Sequence, residues 1–169
     1  AGRSSFRATL GPLYYGLADL LLTLSADETG AEARQTLLAE ARATVERLKA
    51  AELRDYFSDP CLAQQGRRSV PVGAISMQAA ALYPILLPDR LELLVSVGDT
   101  DHQVTVPVGA DALTATVRAF RAGLETPTTR AYLDPAQTLH DWLIAPIEPL
   151  LDDAGVDTLV IVPDGPLRT

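Results

Sequence analysis

LVIVPDGPLRT, residues 159–169, reads as a strand that runs into a tight turn. Leu159, Val160, Ile161 and Val162 form an unbroken run rich in β-branched side chains. Such a run suits a strand covered on both faces, as in a parallel sheet, better than an alternating, half-exposed one. Pro163-Asp164-Gly165-Pro166 ends it, because each proline removes a backbone donor and glycine admits positive φ. A strand of this kind needs neighbours on both sides, yet three residues follow the turn, and at the other end Ala1 leads directly into a helical pattern. The expectation is one part of a larger domain, cut at both ends.

Working back from that strand, Asp134-Pro135 opens a helix, with Asp134 as N-cap, Pro135 at the first helical position and Gln137 completing the cap. Pro146 and Pro149 kink or split it before Gly155. A helix over Asp111–Ala122 stops at Gly123, and Thr126–Arg130 is a loop. Upstream, Ala80–Leu87 and Leu91–Val97 flank Pro88-Asp89-Arg90 as a β-hairpin. A third strand follows Gly98-Asp99, in which Val104, Val106 and Val108 alternate with Gln103, Thr105 and Pro107, one face buried and one wet. The three strands make an antiparallel meander.

The N-terminal third is helical. Phe6, Leu10, Leu13, Leu17, Leu20, Leu21 and Leu24 recur every three or four residues, the apolar stripe of an amphipathic helix whose first turn Gly11-Pro12 interrupts. Thr29 with Glu32 gives a capping-box signature for a second helix, which carries Leu37, Leu38, Ala41, Val45, Leu48 and Ala51 on one face and runs to about Phe57. Residues 1–63 are therefore expected as a helical hairpin, the unit from which helical repeats are stacked. Pro60 ends its second helix, and 64–78 is a linker containing Arg67 and Arg68, a candidate nicking site. The remainder, 79–169, is the α/β part.

Composition excludes several functions. Charged residues make up 21% and apolar residues 47%, as in an ordinary globular chain. No apolar run is long enough to span a bilayer, and one cysteine rules out a disulfide framework, so a cytoplasmic protein is expected. The net charge of −8 opposes phosphate-backbone binding, so nucleic acid is not an expected partner. The basic residues, all arginine but Lys49, are scattered and reflect a GC-rich genome.

Four segments in order resemble the CHAT domain, a caspase-like cysteine peptidase domain associated with tetratricopeptide repeats, commonly in bacteria. Residues 41–62 (ARATVERLKAAELRDYFSDPCL) are similar to the helix leading into such domains. Residues 81–97 (ALYPILLPDRLELLVSV) resemble the family's opening hairpin, and 139–150 (LHDWLIAPIEPL) the helix before its first core strand. Residues 157–169 (DTLVIVPDGPLRT) resemble that strand and its turn. The resemblance implies an α/β fold: a helical hairpin, an antiparallel meander, two helices and the first strand of a caspase-like parallel sheet. It also implies that the catalytic histidine and cysteine lie beyond Thr169, so that this chain is an inactive scaffold carrying part of a substrate cleft. The implied partners are proteins or peptides, above all the remainder of the domain and upstream helical repeats.

Candidate sites are few. Cys61 is the sole thiol, but neither His102 nor His140 stands at a spacing that would make it a thiolate. The histidines have no second ligand nearby, and the pairs Asp99/Asp101 and Asp152/Asp153 lack the alternating oxygens of a calcium loop. No metal, cofactor or catalytic residue is expected. Trp142 shares a helical face with Leu139 and reads as core. The turn at Asp164 and Gly165, with Arg168, is the candidate substrate-binding element, because ligand sites of open α/β sheets lie outside the carboxyl ends of strands. An unpaired terminal strand would also favour dimerisation or strand exchange through its edge. The competing reading is a non-catalytic protein–protein interaction or regulatory module.

Overall fold

Glu28-Thr29-Gly30 joins α1 (Phe6–Asp27) to α2 (Ala31–Phe57). This computed structural model describes residues 6–57, 78–126 and 128–168. Cys61, Pro60 and most of the expected linker lie outside them. The Gly30 N–H donates to Glu28 Oε1 at 2.7 Å, and the Gly30 carbonyl accepts the Arg34 N–H at 2.8 Å. The first turn of α2 is thus set by Glu28 and Gly30 rather than by the expected Thr29–Glu32 box, since α2 starts at Ala31.

Two expectations about α1 are corrected. It continues through Pro12 without a break. Gly11 has no Cβ to meet the proline ring, which removes the usual clash with the preceding residue. The leucine stripe is also not the buried face. Gly11, Ala18, Leu22 and Ser25 are buried, whereas Leu10, Leu13, Leu17, Leu20 and Leu24 expose 36–69% of their surface. The buried residues of α1 are thus small ones spaced by seven, with Leu22 the one large side chain among those described as buried. Opposite them α2 buries Leu38, Ala41, Val45, Leu48 and Ala51, as its sequence pattern indicated. Thr44 and Ser25 return their hydroxyls to the Glu40 and Leu22 carbonyls.

By its internal contacts the chain divides into two units, Ala1–Val70 and Pro71–Thr169. The second has an α/β fold. β1 (Ala79–Leu86), β2 (Leu91–Val97) and β3 (Thr100–Val106) form the antiparallel meander. The chain then passes through α3 (Ala110–Leu124), α4 (Leu133–Leu143) and α5 (Glu148–Asp153). β4 (Thr158–Ile161) returns parallel to β1, giving the sheet order β3-β2-β1-β4. Pro146 and Pro149 do split the α4–α5 helix. The α4 boundary differs slightly: Tyr132 occupies the cap position, Asp134 falls in the first turn, and Gln137 donates to Asp141 instead.

One sheet face carries Ala80, Leu82, Leu91, Leu93, Val95 and Val106 into a core with Leu113 and Val117 of α3 and Ile147 from the α4–α5 link. Trp142 packs partly buried against it, as expected. Two close backbone approaches depend on glycine. A Cβ on Gly109 would lie 2.4 Å from the Pro88 carbonyl oxygen, and one on Gly123 would lie 2.6 Å from the Tyr132 nitrogen. Gly123 accordingly lies inside α3 rather than beyond its end.

The face of β3 expected to be wet is partly closed. Glu92, 2% exposed, accepts hydrogen bonds from Arg90 Nε at 2.7 Å, Gln103 Nε2 at 3.0 Å and Thr105 Oγ1 at 2.9 Å. Ser96 donates to the buried carboxylate of Asp101 on the same face. β4 departs from expectation in the other direction: Val160 and Ile161 are 39% and 48% exposed. It is an edge strand, with β1 on one side only. No helix among the described residues is long and apolar enough to cross a membrane.

Candidate binding groove

The parallel pairing of β1 and β4 stops at a defined rung. The Thr158 N–H donates to the Gln78 carbonyl and the Val162 N–H to the Leu82 carbonyl at 2.8 Å. Alternation along β1 directs Leu82 and Pro84 toward β4, but Pro84 has no N–H to offer. The next rung therefore lacks its donor on β1, and the ladder stops there. The strand ends part, and a groove of about 490 Å³ opens at their carboxyl ends.

Pro84 and Pro163 line that groove together with Leu82 and Ile161, Phe120 of α3, and Leu139, Leu143 and Ile144 from α4 and its end. Leu167 closes it from the short 3₁₀ turn Gly165–Arg168. The α4 stripe reaches the groove because Ala136, Leu139, His140 and Leu143 fall on one side of a helix. Among the described residues His140 is the one titratable group in the lining. Its Nδ1 lies 3.6 Å from Asp141 Oδ1 and its Nε2 3.3 Å from Glu148 Oε1, at the exposed rim.

The expected turn residues sit beside this groove. Gly165 has φ +50°, the left-handed conformation its turn requires. Asp164 is buried at 6% exposure, and its carbonyl accepts the Leu167 N–H at 3.0 Å. Arg168 Nε donates to the Pro163 carbonyl at 3.3 Å and stands 3.7 Å from Asp164 Oδ1. Arg168 and Asp164 therefore brace the turn, with the guanidinium itself exposed. The other candidates do not converge. His102 lies on β3 opposite Val95, away from His140 on α4. Asp152 and Asp153 are exposed at the end of α5. Among the described residues no cluster of histidine, cysteine and carboxylates could hold a metal ion.

The groove offers apolar area and, along β4, backbone polar groups. Because Thr158 and Val162 turn theirs toward β1, strand alternation turns those of Leu159 and Ile161 toward the open edge. An extended segment could pair there and seat a side chain in the groove. Charge would select among segments. Residues 1–70 contain nine basic and nine acidic side chains, whereas 71–169 contain five and thirteen, so the whole excess of negative charge belongs to the second unit. Comparison with protein-family models, curated proteins and solved structures found no match to this chain.

Sequence reasoning missed the groove as a site. Its lining comes from β1, α3, α4, β4 and the final turn, and no local spacing reveals that meeting. The available signal was Pro84, a proline inside an otherwise strand-like run.

Proposed function

We propose that this chain is the N-terminal portion of a CHAT-type caspase-like cysteine endopeptidase, contributing scaffold and part of a substrate cleft while the catalytic histidine and cysteine are supplied from outside its 169 residues. One observation carries the reading: the apolar groove lies at the carboxyl ends of the parallel β1–β4 pair, where open α/β sheets place ligands. In this role Asp164 and Gly165 hold the turn that walls the cleft, and Arg168 presents a cation at its rim. The activity requires a histidine base and a cysteine thiolate in hydrogen-bond reach.

A pool of fluorogenic peptides tests this, offered to the 169-residue chain and to a longer gene product continuing past Thr169. The expected result is no turnover by the shorter chain and thiol-dependent turnover by the longer one. A longer product that folds but stays inert would overturn the peptidase reading. The exposed β4 edge favours a second reading, an interaction module that captures a protein or peptide as an added strand, or another copy by strand exchange. Peptide binding by the shorter chain, lost in Ile161→Pro, with an inert longer product, would support that reading instead.

A further inference from the structure

We infer that the groove at the carboxyl ends of β1 and β4 takes a basic peptide: an apolar residue enters the cavity, and a lysine or arginine beside it meets Asp141 and Glu148 on the rim. This rests on the reading of the groove as part of a peptide cleft and adds which peptides that cleft accepts.

The walls of the groove all belong to the second unit. β1, α3, α4, β4 and the final 3₁₀ turn surround about 490 Å³, within the range of about 300–1,000 Å³ for pockets that hold ligands. Leu82, Phe120, Leu143 and Ile161 make its interior apolar, so the part of a ligand that enters it carries no charge. Beside it, the outer edge of β4 at Leu159 and Ile161 offers backbone groups to an extended chain, which a small apolar molecule would leave unused.

Charge selects the rest of the occupant. Residues 133–167 supply most of the lining and contain seven carboxylates with no lysine or arginine. Two of those carboxylates stand at the exposed rim. Glu148 Oε1 lies 3.3 Å from Nε2 of the lining residue His140, and Asp141 Oδ1 lies 3.6 Å from its Nδ1. Protonated, His140 offsets one of these two charges; neutral, it offsets neither. The rim keeps a negative excess in either state. On the 3₁₀ turn Arg168 stands 3.7 Å from Asp164, so the one cation beside the lining there already faces a carboxylate. The second unit as a whole holds thirteen acidic and five basic side chains, and its field draws cations and repels anions. A peptide with acidic neighbours or a fatty acid would meet repulsion at this rim.

Exposure limits the strength. Asp141 and Glu148 are 57% and 52% exposed, so each ion pair is weak and screened by salt. Exchanging lysine for glutamate turns attraction into repulsion, and about a tenfold difference in affinity is expected at low salt. It should shrink below about threefold in 0.5 M sodium chloride.

Isothermal titration calorimetry of the 169-residue chain tests this with three eight-residue peptides that share a central leucine pair and flank it with lysine, glutamine or glutamate. The expected order of affinity is lysine, glutamine, glutamate, with one peptide per chain. Asp141→Asn/Glu148→Gln should reduce the lysine-over-glutamate ratio to about twofold at unchanged circular dichroism. The salt dependence of the parent chain reads the same charge effect without a substitution. Ala136→Trp, which fills the groove, should abolish binding of the lysine peptide. Equal affinities, or a preference for glutamate, would overturn the basic specificity and leave the cleft reading intact. A ratio unchanged in the double variant would overturn the assignment to Asp141 and Glu148. Lysine-peptide binding that survives Ala136→Trp would locate the attraction on the acidic surface alone and overturn the inference. Absence of binding by all three peptides would overturn both the inference and the cleft reading. None of these readouts needs turnover, so an inert longer gene product would refute the peptidase reading and leave this one standing.

Discussion

Arg90 Nε donates to Glu92 Oε1 across 2.7 Å, two residues apart where the chain leaves the β-hairpin turn and enters β2, and Glu92 is almost fully enclosed. Gln103 and Thr105 on β3 donate to the other oxygen of this enclosed carboxylate. Removing one partner from such a group costs far more than the pair contributes on balance.

Arg90→Ala should therefore destabilise the second unit by about 3 kcal/mol, an uncompensated buried charge being the cause. Glu92→Gln, which keeps a polar group of the same shape, should cost about 1 kcal/mol. Urea unfolding of both variants checks the order; equal losses would show that charge is not the issue.

Glycines in two helices should respond with opposite sign. Gly16 in α1 has open space where a Cβ would stand, so Gly16→Ala should stabilise by about 0.5–1 kcal/mol through helix propensity. Gly123→Ala places its methyl against the Tyr132 backbone, which cannot yield as a flexible side chain would. A loss of about 2 kcal/mol or more is expected there, seen as a lower urea midpoint.

Ile147 has no exposed surface, although it sits between Pro146 and Pro149 in the break of a helix. Ile147→Ala should cost about 2–5 kcal/mol, the range for a cavity in a close-packed core. A loss below 1 kcal/mol by the same measurement would show that the helix break collapses to fill the space.

The groove should take up an apolar fluorescent probe in a one-to-one complex. Ala136→Trp should abolish that binding by filling the volume, and Arg168→Ala should leave it intact, since Arg168 is not among the lining residues and its side chain is 40% exposed. Titration of the three proteins separates groove binding from adsorption to the leucine face.

Much of this architecture was legible residue by residue. Pro88-Asp89-Arg90 marks the hairpin turn, the Val104/Val106 alternation the third strand, and Pro146 with Pro149 the break between α4 and α5. What escaped were matters of partnership. The leucine stripe of α1 is the more apolar face, yet burial follows Gly11, Ala18 and Ser25, so hydrophobicity alone does not select the buried side. Val160 and Ile161 read as enclosed, but their exposure depends on whether a strand lies beyond β4, which no local pattern states. Asp164, Gly165 and Arg168 were legible as a turn; the cavity beside them required Pro84, Phe120 and Leu139 to be brought together from distant positions.

The rung from Val162 to Leu82 also dictates an order of events. The meander joins neighbours in sequence and can form early, whereas pairing Thr158 with Ala79 closes a loop through three helices. β4 must therefore dock after its neighbours are in place, and being held on one side it should open first. The groove is then a late-made and early-lost feature, and amide protons at Thr158 and Val162 should exchange well before those binding β1 to β2.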